Sequence, residues 1–568
     1  MQGVPAEIGD PPAATGVLTS ACAVGAAPFP NQPPPFEGTN LFAADAALQD
    51  AVSRDRAAWA IPQLHAWGAT LGAPETYALA DAANRNPPTL RAYDRGGERT
   101  DDVLFHPAWD ALMRLAMNAG EHCSPWRLPQ PGAQVARAAL YYLHAQVENG
   151  TQCPLTMTYA SVPVLMRHAR DLPDGADAWL PRVLAEAYDT RPLPVADKHS
   201  ALIGMGMTER QGGSDVRANV TRAEPGGHGA WRITGHKWFF SAPQCDAHLV
   251  LAQTGAGLGC FLMPRVNPDG RRNSIHVNRL KDKLGNRSNA SAEVEFERAL
   301  AWPLGATDRG IATILEMVGY TRLDCVIGSA GIIRAALAWA LHHARHRMTF
   351  GRPLVDHPLM ANVLADLALE SEAALLLALH LARACEANAE PSLRAAARIV
   401  TPAAKYWVCK RATAVTAEAM EILGGNGYVE ENPLPRLHRE APVNSIWEGS
   451  GNIVCLDVER AMRQEPAAVD ALLVSLAAAR GANRHFDRRL AMLETLLRDE
   501  GAREGSGRRV PAAIAVTVSA TELIRHAPSC VADAFCESRL ADAAFGGAAF
   551  GALADGAKTQ PILARALA

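Results

Sequence analysis

The chain has no Cys-x-x-Cys pair, and its 11 cysteines are an odd number scattered from Cys22 to Cys536. That scatter excludes a disulfide framework and a paired-cysteine zinc motif; free thiols in a reducing cytoplasm are expected, with no metal site. Neither sign of charge is in excess. Lys+Arg number 55 against 59 Asp+Glu, a net charge of −4, so no whole-chain affinity for nucleic acid is expected and any basic surface must be local. Long apolar runs are also missing. The most apolar stretch, Val326 to Leu341, carries Arg334 in its middle and is too short to span a bilayer, so no membrane partner is expected. Its small residues (Gly328, Ser329, Ala330, Gly331, Ala335, Ala336) suggest a helix packed closely inside a bundle. Residues 1–30 lack a basic run ahead of an apolar core, which argues against a signal peptide and for a flexible extension. No internal repeat is present.

What remains is a chain of 568 residues, 48% of them hydrophobic, enough for roughly three or four domains or subdomains. Residues 31–203 have a helical texture, with apolar residues three and four apart in Trp109-Leu112-Met113-Leu115-Ala116 and Val135-Ala138-Ala139-Tyr142. Residues 204–304 change to short alternating runs (Trp231-Arg-Ile233, His248 to Leu251, Ser274 to Val277, Ala292 to Phe296) punctuated by Gly, Pro and Asn; they predict a compact antiparallel β domain. Helix returns over 305–464. Residues 465–568 predict a further helical domain with a Gly/Arg-rich break at 501–509.

Five segments carry chemistry. Met205-Gly206-Met207-Thr208-Glu209-Arg-Gln-Gly-Gly213-Ser214-Asp215 opens the β domain; its hydroxyls and glycines let a backbone approach a planar or phosphorylated ligand, although an ordinary surface turn has the same composition. Gly235-His-Lys-Trp-Phe239-Phe240-Ser241 ends a strand with aromatics and a hydroxyl that suit a ring system, or simply a core. Then come Arg347-Met-Thr-Phe350-Gly351, Glu421-Ile-Leu-Gly424-Gly425-Asn-Gly-Tyr428 and Ile446-Trp447-Glu448-Gly449-Ser450-Gly451-Asn452. Each is weak alone; the five in this order, with β structure between helical regions, are specific.

In that order and wording, residues 31–462 resemble the acyl-CoA dehydrogenase superfamily, whose fold is an N-terminal helical domain, a central β domain and a C-terminal helical bundle. The resemblance implies an FAD-dependent oxidoreductase acting on an acyl-CoA. It implies flavin contacts from Met205, Gly206, Met207, Thr208, Glu209, Gly213, Ser214, Phe239, Phe240, Ser241, Ile446, Trp447, Gly449, Ser450, Gly451 and Asn452. Arg347, Phe350, Gly424 and Gly425 would reach the FAD of a neighbouring subunit, which implies an oligomer, by precedent a homotetramer. Glu421 stands where many relatives have Gln. Thr208, Ser214, Ser241 and Arg322 would meet the substrate. Glu448 occupies the position of the family's usual catalytic glutamate. The isovaleryl-type alternative places the base directly before Arg322, where this chain has Thr321, which cannot serve. A carboxylate against an apolar pocket should have a raised pKa suited to abstracting an α-proton.

Within the superfamily, several passages resemble the AidB (alkylation-response) branch: Asn31-Gln-Pro33, Phe105-His-Pro-Ala-Trp109, His144-Ala-Gln-Val-Glu148, Lys281 to Ala290 and Pro442 to Trp447. So does the extension beyond Met462. Relatives of that type carry an extra helical domain associated with double-stranded DNA, and their dehydrogenase activity is weak. Arg460 matches a basic position linked to DNA contact in that branch. In the extension, Arg480, Arg484, Arg488, Arg489, Arg498, Arg503, Arg508, Arg509 and Arg525 interleave with Asp487, Glu494, Asp499, Glu500 and Glu504. A sequence-indifferent phosphate-binding face and a solvated helix surface both fit that pattern. Two expectations follow: a dehydrogenase of a short or branched acyl-CoA, or a DNA-associated flavoprotein with vestigial chemistry.

Overall fold

The computed structural model describes residues 31–168, 172, 175–499, 507–541, 550–553 and 559–567. The expected extension at 1–30 and most of the Gly/Arg-rich break, with Glu500, Arg503 and Glu504, lie outside the described residues.

The chain opens on helices Ala46–Arg54, Ile61–Gly72, Pro74–Arg85, Pro107–Asn118, Ala133–His144 and Gln152–His168. Local chemistry sets their starts. Asp45 caps the first by accepting from the Leu48 amide at 3.1 Å, and proline occupies the first turn of the next three. Every residue of Ala133–His144 is buried, so this helix is the middle of a layer rather than its surface. A hairpin interrupts them, β1 (Thr89–Tyr93) and β2 (Arg99–Leu104), where only helix was expected. Asp94-Arg-Gly-Gly97 makes its turn, the Asp94 carboxylate accepting from the amides of Gly96 and Glu98 at 2.7 and 2.9 Å.

The β domain comprises β3 (Ile203–Gly206), β4 (Arg222–Gly227), β5 (Ala230–Ser241), β6 (Ala247–Gln253), β7 (Leu258–Pro264), β8 (Ile275–Leu280) and β9 (Ser291–Pro303). The order is β3-β6-β4-β5-β9-β7, with β8 on β9, and β7 also pairs β6. The sheet thus closes on itself around an interior of Ile233, Phe240, Val250, Phe261, Val294 and Phe296. Most pairs are antiparallel, as expected, but β3 runs parallel to β6. The long connection between them, which itself forms the β4–β5 hairpin, leaves β3 free to enter in that sense.

The bundle consists of Gly310–His346, Pro358–Ala384, Pro391–Ile422 and Pro433–Asn444. Gly310 starts the first: a Cβ there would stand 2.3 Å from the Gly259 carbonyl carbon, so only glycine lets the helix leave this close to β7. That helix is long and apolar enough to cross a membrane, yet the apolar window is 83% buried within the protein, as expected for the inner member of a bundle.

Beyond Gly451–Gln464 lie Pro466–Ala477, Arg484–Arg498, Arg509–His526, Ser529–Leu540 and Thr559–Leu567. These are helical as expected, but they are not a separate body. Leu472, Leu490, Ile514, Leu523 and Phe535 belong to the same hydrophobic cluster as the bundle's Leu364, Leu376 and Val408. Ion pairs fasten the seam: Arg539 bonds Glu370 at 2.9 Å and also Asp366, and Glu522 takes His380 at 2.9 Å and Arg383 at 2.5 Å.

Candidate active site

Glu448 lies in the turn between helices Pro433–Asn444 and Gly451–Gln464, with φ +57°, followed by Gly449 at φ +100°. A left-handed glutamate costs about 1–2 kcal/mol and persists only when its surroundings hold it. Three bonds do so. The Arg322 Nε–H donates to the Glu448 carbonyl at 3.0 Å, and the Lys405 ammonium donates to the carbonyls of Trp447 and Gly449 at 2.7 and 2.6 Å. Lys405 is 1% exposed and grips the turn on both sides of the glutamate. Gly449 leaves little room for a side chain, since a Cβ would meet Ile453 and Val454 at 3.3 Å, and its φ of +100° itself favours glycine.

The Glu448 carboxyl accepts from the Thr321 hydroxyl at 2.6 Å. Burial raises its pKa above the ordinary value, while the Thr321 bond and the charges of Lys405 and Arg322 oppose that rise. The Glu448 N–H has no backbone partner among the described residues. Arg322 is itself fixed by Asp457 at 2.5 Å; Asp457 also takes Arg398 at 3.1 Å and is held below the usual carboxylate range, where these partners outweigh burial. Arg322, expected at the substrate, thus spends Nε on the turn and Nη1 on Asp457, and leaves Nη2.

On the β-domain side, strand alternation separates Phe239 from Phe240. Phe239 is 53% exposed, with the Lys281 ammonium 4.6 Å from its ring centre. Phe240 was expected to contact a flavin ring; instead its side chain is fully buried and stacked on His248 at 4.0 Å. Gly206 is the price of that placement, because a Cβ would lie 2.7 Å from the Phe240 ring. Met205 joins the helical core. Glu209 is a second correction. Its buried carboxylate takes Lys237 at 2.8 Å and the Val220 amide at 2.7 Å; Lys237 and the donors outweigh burial and hold it at about 2. It braces the loop and has nothing left for a ligand. Met207 and Thr208 are half-buried at the strand end and Ser214 is exposed; Gly213 passes so close to Thr208 that a Cβ would stand 2.3 Å from its hydroxyl.

A buried thiol near both Ser241 and Glu448 was not singled out from sequence: burial pushes Cys153 up to about 12, with the Glu448 charge adding to the rise and Lys283, Ser241 and Asn289 opposing it. Lys405 was missed as well; a lone lysine among the buried Ala403, Ala404, Val408 and Cys409 was the available signal.

Other expected residues point outward. Phe350, φ +47°, tips the two-strand hairpin Met348–Thr349/Arg352–Pro353 with Gly351 at φ +83° and is 99% exposed. Arg347 donates to the Asn31 carbonyl at 2.7 Å. Gly424 and Gly425 are exposed with open space beside them, and Ile446 is largely exposed. Trp447 donates to Asn444 at 3.0 Å. Ser450 is exposed, Gly451 lies against Lys410, and Asn452 accepts from Arg508 at 2.9 Å, so the extension touches the end of this segment. Arg460 is 56% exposed, 4.0 Å from Asp457. A cavity of about 940 Å3 lined by Tyr77, Trp339, Arg287 and Arg436 lies apart from Glu448.

The profile of the adaptive response protein AidB N-terminal domain matches residues 31–190. Those of the acyl-CoA dehydrogenase middle and C-terminal domains match 204–299 and 308–463. The chain is 48% identical over 511 residues to the Escherichia coli (strain K12) protein named "Putative acyl-CoA dehydrogenase AidB", covering 90% of this chain and 94% of that one. It is an AidB-type member of the acyl-CoA dehydrogenase family. Among solved structures, this AidB-type chain is similar to the apo-form of Bd2924 (29% identity, TM-score 0.78, 88% of this chain and 100% of that one). It also shares the fold of Caenorhabditis elegans ACDH-11 in complex with C11-CoA (24% identity, TM-score 0.81, 97% and 95%); that coverage carries the shared fold past the bundle into the extension. The family is one of FAD-dependent oxidoreductases.

Proposed function

We propose that this AidB-type chain binds FAD and removes the α-proton of an acyl-CoA with Glu448, the acyl group being short or branched. The observation that carries the proposal is the Glu448 turn: a carboxylate in a strained conformation, gripped by Lys405 and Arg322, with its pKa raised by burial. The residues present suit a flavin. Phe239 offers an exposed ring face, Ser241 a half-buried hydroxyl, and Gly213 a backbone free of side-chain bulk. Bound FAD would supply the two-electron acceptor for a hydride from Cβ.

The protein's own part is acid–base and positional. Glu448, ionised, accepts the proton leaving Cα, and the electron pair of that bond enters the new Cα=Cβ bond as the β-hydride departs. The Glu448 N–H is free to donate to the thioester carbonyl and to stabilise charge that develops there. Burial disfavours the carboxylate and so strengthens it as a base near neutrality. The exposed Phe350, Gly424 and Gly425 support a homotetramer in which each subunit completes its neighbour's FAD site. The ten described cysteines are all unpaired, which supports a cytoplasmic setting.

The test is an anaerobic titration of the yellow protein with isovaleryl-CoA. Wild type is expected to bleach, and Glu448→Gln to keep its FAD while losing reduction by on the order of 10²–10⁴-fold. Unchanged reduction in Glu448→Gln would place the base elsewhere. Duplex DNA is the second reading, favoured by the exposed Arg460 guanidinium. Arg480, paired with Glu494 at 2.5 Å, and Arg508, bonded to Asn452, weigh against it.

A further inference from the structure

We propose that Thr321 is a positioning residue for Glu448, its hydroxyl swinging between two acceptors so that one geometry serves both protonation states of the base. The inference rests on Glu448 being that base. Thr321 is 1% exposed on the Gly310–His346 helix. Its Oγ1 lies 2.6 Å from Glu448 Oε2 and 3.2 Å from the Val318 carbonyl oxygen one turn back. A hydroxyl has a single proton and two lone pairs, so it can donate to one of these acceptors at a time. Threonine in a helix is suited to this, because Oγ1 can reach the carbonyl three residues earlier.

While Glu448 is ionised, the charge-assisted bond to Oε2 is the stronger of the two and Thr321 donates there. When the α-proton arrives on Oε2, the carboxylic acid becomes the donor. It then gives a hydrogen bond to Thr321 Oγ1, and the threonine proton turns to the Val318 carbonyl. Thr321 neither gains nor loses a proton, and the carboxyl stays where it was. The swing also explains why the position that cannot supply a base is not simply apolar: a valine would leave Oε2 with no donor in a buried site.

The other groups facing the carboxyl do not duplicate this. Lys405, on the Pro391–Ile422 helix, and Arg322, beside Thr321, favour the ionised form through charge, yet they bond the backbone of the turn. Asp457 stands behind Arg322. Cys153, on the Gln152–His168 helix, and Cys325 are thiols kept neutral by burial. Among the described residues Thr321 makes the one side-chain hydrogen bond to the Glu448 carboxyl.

The experiment is an infrared pH titration of the Glu448 carboxyl in the FAD-loaded protein, with the band identified by its loss in Glu448→Gln. It runs beside the pH profile of flavin reduction by isovaleryl-CoA. In Thr321→Val the midpoint is expected to rise by about one pH unit, since a donor to the charged form is lost. Reduction below the midpoint should fall about tenfold and recover at higher pH, with flavin content unchanged. Thr321→Ser should restore the wild-type midpoint, which a packing role would not predict. If valine is not tolerated, Thr321→Ala reads the same midpoint. Equal midpoints in wild type and Thr321→Val overturn the proposal. A midpoint that moves while neither protein is reduced by acyl-CoA supports the Thr321–Glu448 coupling and overturns the function proposed above.

Discussion

One backbone device recurs among the described residues, at His228-Gly229, Phe350-Gly351 and Glu448-Gly449, and the last two invite comparison. Glu448-Gly449 and Phe350-Gly351 each set a left-handed non-glycine residue before a left-handed glycine, at φ +57°/+100° and +47°/+83°. At Phe350 the pair is a two-residue hairpin turn, a geometry that hairpins favour for its own sake, and the ring stands 99% exposed. At Glu448 no strands demand the conformation; Lys405 and Arg322 impose it from neighbouring helices. The same dipeptide geometry is therefore display in one place and preorganisation in the other. What distinguishes them is that the Glu448 carboxyl is held by a buried neighbour on another helix, whereas the Phe350 ring stands in the open.

Removing a grip should break the contrast most. Lys405→Met deletes both bonds to the turn while filling much the same space. It is expected to slow flavin reduction by about 10²-fold, since misplacement of a reacting group by about 1 Å has that effect. It should also cost on the order of 1–3 kcal/mol of stability through the two carbonyls left without their donor; stopped-flow reduction and denaturant unfolding measure the two. Wild-type reduction rates in a stably folded Lys405→Met would show that the turn holds itself.

Phe350→Ala sharpens the contrast from the other side. A fully exposed ring should contribute within about 0.5 kcal/mol to the fold of its own chain. If it serves a neighbouring subunit, its loss appears only as weaker FAD retention or partial dissociation, read by flavin absorbance across a sizing column at falling concentration. Full flavin retention and an unchanged assembly would make the tip an ordinary turn.

The smallest effect is expected at Arg460, a few residues beyond the turn and bonded to neither device. Arg460→Ala should leave flavin content and reduction as in wild type. If the chain contacts duplex DNA there, the change should weaken binding to all sequences alike and flatten the salt slope by roughly one unit. No retention of duplex by the wild type at low salt would end that reading.

How much of this was legible follows from how far apart the interacting residues lie. The Glu448 turn was visible because Trp-Glu-Gly-Ser-Gly is contiguous. Lys405, 43 residues away along another helix, was not, for periodicity marks a buried face without saying which carbonyls it meets. Strand alternation alone could have separated Phe239 from Phe240, and the Asp-Arg-Gly-Gly turn could have revealed the β1–β2 hairpin. Glu209 was read as a ligand contact because its buried partner Lys237 sits in what looked like an aromatic strand end. The parallel entry of β3 had no local mark, since strand direction is a property of the connection and not of the residues.

The seam between bundle and extension bears on modularity. A chain cut after Gln464 would not be a smaller dehydrogenase: Asp366, Glu370 and His380, buried in the intact chain, and the half-buried Arg383 would lose Arg539 and Glu522, and the bundle face packed against Arg509–His526 would be opened to water. The extension is thus not an appendage that can be gained or shed freely. Its Arg539 pairs with the bundle's Asp366 and Glu370 and its Arg565 with Glu372, so a change on either side is felt on the other.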